Sequence, residues 1–406
     1  MSEDNLLLHG LRVIDCGTWV AAPAAATVLG DFGADVIKVE SPPAGDTYRW
    51  CAQFIPGFPR ATDNYPWLLT GRNKRSVVLD LKKDAGYAAL LRLVAGADVF
   101  LTNFPPAVLE KLRLRYEDLQ PHNGRLVYGQ LSGYGEAGPH ANLAAFDRTG
   151  WWARSGLMDR MRYRGQPPAG GIFGWGDHAS AMSLFGAVMT GLYQRERSGR
   201  GTKVSTSLLA NGIWANGIPL QARLSGAEVE LETPRDEMEN ALAIPYETRD
   251  GHWFYPWLFN EESDWQRFVI ALGLGELVDD ARFAATPERR ANAAALIATI
   301  EARVRAEDWA HWQQVMFESG VDLISVSTLD DVIRDPQVGE NGYLVPLAGA
   351  QVAATQTVNS PVFVHGQGKR GAGAAPALGQ HSEEVMAEIG YSAGEIAAMR
   401  AAGVLG

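Results

Sequence analysis

The sequence predicts an α/β protein: a large parallel-sheet region, then a smaller α+β region late in the chain. Three observations carry this. Short apolar runs alternate with helical stretches through the first half. The spacing leaves room for a crossover helix between runs, which parallel pairing requires. After residue 240 the pattern changes to a hairpin followed by helices.

The elements follow in order. A strand over residues 11–15, an Ala-rich helix over 21–30 and a strand over 36–40 make the first βαβ unit. Strands over 76–81, 98–101 and 126–131 follow, with helices over 85–95 and 107–112 between them. Residues 41–70 interrupt the pattern with prolines and with Trp50, Phe54, Phe58, Tyr65 and Trp67. A long loop of this kind is either functional or a packed excursion. In the helix over 178–195, Met182, Phe185, Val188, Met189 and Leu192 recur at helical spacing. It stops at Ser198-Gly199-Arg200-Gly201. A strand over 203–208 and a helix over 210–224 come next. Residues 225–240 are polar and rich in glutamate, as in a linker or a mobile loop; were it to close over a site, Glu228, Glu230, Glu232, Glu237 and Glu239 would repel an acidic substrate. Arg249-Asp250-Gly251 between two aromatic runs reads as a hairpin turn. Helices over 263–272, 292–305 and 309–318 complete the smaller region, and the tail has a last helix over 382–389. The domain organisation expected is a large α/β domain over 1–225, a linker and small α+β domain over 226–325, and a segment over 326–406 that returns to the large domain.

Composition narrows the function. The chain has 406 residues, 46% hydrophobic and 20% charged, ordinary for a globular enzyme. Its formal charge of -11 argues against nucleic acid as a partner, which needs a basic face. Two cysteines, Cys16 and Cys51, build neither a disulfide framework nor a zinc site. The eight histidines fall singly, with no metal-ligand pairing, so no metal is expected. No apolar run is long enough to span a bilayer, and the start of the chain does not read as a signal peptide. The expected compartment is the cytoplasm.

Gly133-Tyr134-Gly135-Glu136-Ala137-Gly138 has the dinucleotide spacing, but Pro139-His140-Ala141-Asn142 follows where a helix should open. Gly71-Arg72-Asn73-Lys74-Arg75-Ser76 concentrates cations, as in a phosphate clamp or a solvated turn, and Lys82 and Lys111 add charge at later strand–helix junctions. No GxSxG is present. Asp177 follows a glycine-rich approach ending in Gly174-Trp175-Gly176, where an apolar helix begins. It reads either as an N-cap or as a nucleophilic carboxylate, with flanking amides from Gly174, Trp175 and Gly176 to steady an oxyanion and His178 as an assistant.

Together these motifs resemble class III CoA-transferases of the CaiB/BaiF type, a family that includes formyl-CoA and carnitine CoA-transferases. The likeness rests on the opening Leu8-His9-Gly10-Leu11-Arg12-Val13-Ile14-Asp15, on residues 29–40, and on Gly45-Asp46, Asn73-Lys74-Arg75-Ser76, Asn103-Phe104, Ser132-Gly133-Tyr134-Gly135, Gly199-Arg200-Gly201 and residues 378–385. The resemblance implies a Rossmann-like large domain and an interlocked homodimer. It implies that Asp177 is the catalytic aspartate, carrying CoA transfer through an aspartyl anhydride and an aspartyl-CoA thioester; a carboxyl of ordinary pKa, ionised at neutral pH, suits that role. It places the CoA site at Trp19, Val20, Ala21, Leu79, Lys82, Asn103, Phe104, Lys111 and Phe146, with CoA as substrate and no tightly bound cofactor. Lys111 stands where the family often has Arg, and Ser41 where some members carry a base. A related branch, the 2-methylacyl-CoA racemases, uses a His before an Asp where this chain has Phe146-Asp147, and a phenyl ring moves no proton. Residues 146–156 with Gly174-Trp175-Gly176-Asp177-His178 are most similar to the aryl-lactate and 2-hydroxyacyl branch, which implies a mid-sized or aromatic acceptor acid. Twelve tryptophans fit such a pocket, or equally a packed core.

Overall fold

The computed structural model describes residues 5–256, 258, 260–349 and 352–406. They divide into two units. The larger takes 1–161, 168–229 and 342–406, and the smaller takes 162–167 and 230–341.

The larger unit is built on a six-stranded sheet: β1 (Arg12–Asp15), β2 (Asp35–Glu40), β3 (Lys74–Val78), β4 (Val99–Thr102), β5 (Val127–Ser132) and β6 (Thr202–Ser207). The order is β3-β2-β1-β4-β5-β6, and every adjacent pair is parallel. The central strands are apolar on both faces because both are covered. On one face, Val13, Leu101 and Val127 pack under α1 (Ala21–Asp31) and α3 (Trp175–Ser198). On the other, Ile14, Phe100 and Tyr128 pack under α2 (Asp84–Ala95) and the C-terminal α6 (Ser382–Glu388) and α7 (Ala393–Ala401). Alanine fills much of α1, and the helix is buried along its whole length.

Several boundaries differ from the sequence reading. β3 starts at Lys74 rather than 76, in register with β2 from Val36↔Lys74 to Glu40↔Val78. The charged stretch enters the strand because Lys74 and Ser76 turn inward to buried acids. α3 starts three residues earlier than periodicity places it, because Gly174 takes a left-handed φ of 88° and opens the helix before its apolar face begins. The helix expected over 210–224 is two, α4 (Leu208–Ala215) and α5 (Gly217–Leu224). They part at Asn216, whose amide donates to the Ser155 carbonyl at 3.0 Å.

In the smaller unit, β7 (Tyr246–Glu247), β8 (Trp253–Pro256) and β9 (Leu323–Val326) form an antiparallel sheet over Phe254, Phe268, Ile300 and Trp312. The first two strands are the predicted hairpin, and β9 was not foreseen. The tail closes the larger unit. Leu405 bridges Leu79, and His381 N–H donates to the Ser76 carbonyl at 3.0 Å.

Candidate active site

Parallel α/β sheets bind ligands past the carboxyl ends of the strands, where the strand order reverses. Here the reversal lies between β1 and β4. Asn103, one residue after β4, spans it. Its Oδ1 accepts from Thr18 N–H at 2.9 Å and its amide donates to the Thr18 carbonyl at 2.7 Å. Next along, Trp19 is held at φ 62°, a conformation uncommon for a bulky residue.

A buried charge network secures this end of the sheet. Lys38 is fully buried, 3.0 Å from Asp46 and 3.7 Å from Asp15, and it also donates to the Gly17 carbonyl. Lys74 pairs with Asp15 at 2.9 Å. Glu40 takes both arms of Arg49 at 2.7 Å and the Ser76 hydroxyl at 2.7 Å. Burial opposes the charge on Lys38, but Asp15, Asp46 and Glu40 together hold its pKa above the usual lysine value. Burial likewise opposes ionisation of Asp15, and its two lysines hold its pKa down. Asp46 then passes this order outward: its Oδ1 accepts from the amides of Trp19 and Tyr48, both at 3.0 Å.

Trp19 and Tyr48 line a cavity of about 880 Å3. Segment 55–66 supplies one wall, with Phe58 and Tyr65, so the Pro- and aromatic-rich interruption in the sequence belongs to the pocket. Phe146 meets Trp19 edge-on at 5.6 Å, and Phe58 meets Phe173 at 4.6 Å. Gly174, Trp175 and His178 complete it around the start of α3. Among the described residues of the lining Arg148 alone is charged; its Nε donates to the Gly171 carbonyl at 3.1 Å.

Asp177 sits in the first turn of α3 and is 8% exposed. It does not cap the helix; Gly174 holds the cap position, with no side-chain cap bond. The helix N-terminus favours its anion, but burial, with Asp147 adding repulsion, pushes its pKa up to about 7. This departs from the ordinary carboxyl expected from the sequence: desolvation of a buried charge outweighs a half-charge dipole. His178 is held neutral by burial and by Arg72.

Asp147, fully buried, opens a π-helical turn over Asp147–Ala153. Such turns are rare and concentrate at functional sites. Its Oδ2 accepts from Gly174 N–H at 2.8 Å. That amide is therefore spent, which removes it from the oxyanion role expected of it. Only glycine fits at 176, where a Cβ would come within 2.2 Å of Trp151 and 2.4 Å of Asp147 Oδ1.

Of the residues expected to hold CoA, Trp19 and Phe146 line the cavity. Val20, Ala21 and Leu79 are buried. Asn103 and Phe104 follow β4, half-buried, and Lys82 and Lys111 are exposed. The phosphate-clamp reading of residues 71–76 is not supported. Arg72 forks onto Asp31 at 2.7 and 3.1 Å, Lys74 is on Asp15, and Arg75 is shared among Asp35, Glu384 and Glu388. The glycine pattern at 133–138 opens no helix, as expected. Asp147, Tyr48 and Arg148 were not singled out as site residues. The π-turn breaks the periodicity that would flag Asp147 and Arg148, Tyr48 sits in a single short turn over Thr47–Arg49, and Asp147 lies 30 positions from Asp177 in the chain. Among the described residues no group of side chains could hold a metal ion, and no helix is long and apolar enough to cross a membrane.

Known proteins agree on the class. The family model of CoA-transferase family III matches residues 8–382. The chain is similar to a cinnamoyl-CoA:phenyllactate CoA-transferase of Clostridium sporogenes, 30% identical over 98% of this chain and 96% of that protein. It is similar to an (R)-2-hydroxy-4-methylpentanoate CoA-transferase of Clostridioides difficile, 27% identical over 95% and 96%. A crystal structure of a CaiB/BaiF family protein from Brucella suis matches with a TM-score of 0.85 at 28% identity, covering 95% of this chain and 100% of that one. A parallel α/β core with an acidic side chain beside an aromatic cavity is thus the scaffold of an enzyme that moves CoA between acids. The chain belongs to CoA-transferase family III and is a CoA-transferase.

Proposed function

We propose that Asp177 is the nucleophile and that the acceptor is a mid-sized carboxylic acid with an aromatic or branched side chain. One observation carries the first half: a carboxyl buried at the start of α3, among residues that line a cavity at the ligand-binding end of the sheet. The Asp177 carboxylate attacks the acyl-CoA carbonyl; the C–S bond breaks, and CoA leaves as thiolate. The thiolate attacks the aspartyl carbonyl of the mixed anhydride, giving aspartyl-CoA and the free donor acid. The acceptor carboxylate attacks that thioester and releases CoA thiolate. Thiolate attack on the acceptor's acyl carbonyl then forms the product and restores Asp177. No net proton is consumed, so no acid or base residue is needed, and a phenyl ring at position 146 is no obstacle.

CoA lies along the carboxyl ends of β1 and β4, with its phosphates towards Lys82 and Lys111. The acyl group enters the aromatic cavity, where Arg148 meets the carboxylate of the incoming acid. The aromatic walls support the acceptor class, as do the phenyllactate and hydroxymethylpentanoate named for the two relatives. The enzyme works as a homodimer.

The test mixes the enzyme with acetyl-CoA, succinyl-CoA and an aryl acyl-CoA, each against a panel of acids, and follows new thioesters by chromatography. Aryl and branched acids are expected to turn over. Hydroxylamine is expected to trap a hydroxamate on Asp177. Equal turnover of oxalate would sink the acceptor class; full exchange by Asp177→Ala would sink the nucleophile. Trp175→Ala is expected to raise KM for an aryl acid roughly tenfold, the loss of one aromatic wall. The same variant leaves KM for acetate within about twofold; an equal rise for both acids would show that the wall does not select.

A further inference from the structure

We infer that Asp147 is a positioning residue that holds the Gly174–Asp177 turn and keeps a second carboxylate against Asp177. The inference rests on Asp177 being the nucleophile.

The geometry has two parts. Asp147 Oδ2 takes the Gly174 amide at 2.8 Å, which anchors the turn that opens α3. Oδ1 makes no well-formed hydrogen bond, although the amides of Gly176 and Asp177 lie near enough to steady its charge, and it lies where a Cβ on residue 176 would sit. A neutral side chain could accept the same amide bond, so anchoring does not account for the charge.

The reaction does account for it. Asp177 is an anion before attack and a neutral anhydride or thioester afterwards. Repulsion from Asp147 is therefore present in the free enzyme and relieved as Asp177 is acylated. An interaction that disfavours the ground state and vanishes along the reaction accelerates it. Few other charges face the pair. Tyr48 approaches Asp177 from the turn over Thr47–Arg49, and burial keeps its hydroxyl protonated. His178, on α3, is neutral, with Arg72 behind it. Burial also raises the carboxyl of Asp147, while the amides of Gly174, Gly176 and Asp177 and the Trp152 side chain pull it back.

Asp147→Asn tests this, because the Asn oxygen still accepts the Gly174 amide and only the charge is lost. The acid limb of the kcat/KM profile is expected to move to lower pH by roughly one unit, the usual size of a like-charge effect. kcat is expected to fall while KM for acyl-CoA stays within about twofold. A limb that stays in place overturns the inference, since a purely structural residue would not move it. Should that variant fail to fold, Asp147→Ser decides: it also removes the charge and keeps an oxygen for the Gly174 amide, and a limb left in place overturns the inference. Hydroxylamine trapping separates the two levels. No hydroxamate on Asp177 of the wild type removes the nucleophile and this inference together. A hydroxamate with an unmoved limb removes the inference alone.

Discussion

Asp177→Asn is expected to abolish CoA exchange and, at the same time, to raise the melting temperature. Loss of a covalent nucleophile should cost at least ~10^3-fold in kcat. The gain in stability follows from the carboxyl's burial. Its pKa is near 7 in the folded protein, against 3.8 for the free side chain. The folded state therefore holds a proton that the unfolded chain gives up, and stability falls as pH rises between those two values. Above neutral pH the ionised group costs the fold on the order of 4 kcal/mol at most. Asn fills the same space without titrating. Its advantage should be largest at pH 8, shrink through pH 7 to 4, and vanish below the unfolded value. Calorimetric scans of both proteins at pH 5 and pH 8 measure it. A variant no more stable at pH 8 would mean that Asp177 is comfortably solvated.

The second large effect is expected at Lys38→Met. The substitution keeps the length of the chain and removes the cation shared by Asp15 and Asp46. A buried pair broken from one side costs about 3–5 kcal/mol, because the surviving charge is left unpaired. Lys203, which pairs with Glu136 at a partly exposed site, is the control; Lys203→Met should cost no more than ~1 kcal/mol. Since Asp46 carries the amides of Trp19 and Tyr48, Lys38→Met should also raise KM for acyl-CoA. Equal melting temperatures for the two variants would show that the network is not what secures the pocket.

What could be read from the chain, and what could not, divides on locality. The parallel sheet was legible because each strand is a short apolar run followed by its own helix. Asp177 stood out because its glycines are adjacent in sequence. Whether Arg72, Lys74 and Arg75 clamp a ligand or sit in a turn stayed open in the sequence because their carboxylates, at 15, 31, 35, 384 and 388, are distant along the chain. Asp147 was passed over because a π-turn has no periodicity to recognise. The raised pKa of Asp177 was beyond reach for the same reason: it depends on what covers the carboxyl, and the covering residues come from elsewhere in the chain. The break at Asn216 turns on a single hydrogen bond to residue 155, which no helical pattern announces.

The larger unit draws on three stretches of chain, the last beginning at residue 342. That has a consequence for synthesis. Strands β1 to β6 leave the ribosome well before the residues that cap β3 and bury Leu79. Residues 230–341 must be made in between, which at ordinary elongation rates takes on the order of ten seconds. For that interval the nascent sheet carries an apolar face without α6 and α7. The smaller unit, apart from residues 162–167, is continuous and is complete before the larger one can close. The order of folding is therefore set to run against the order of translation, and the half-made larger unit is the species that holdase chaperones would meet.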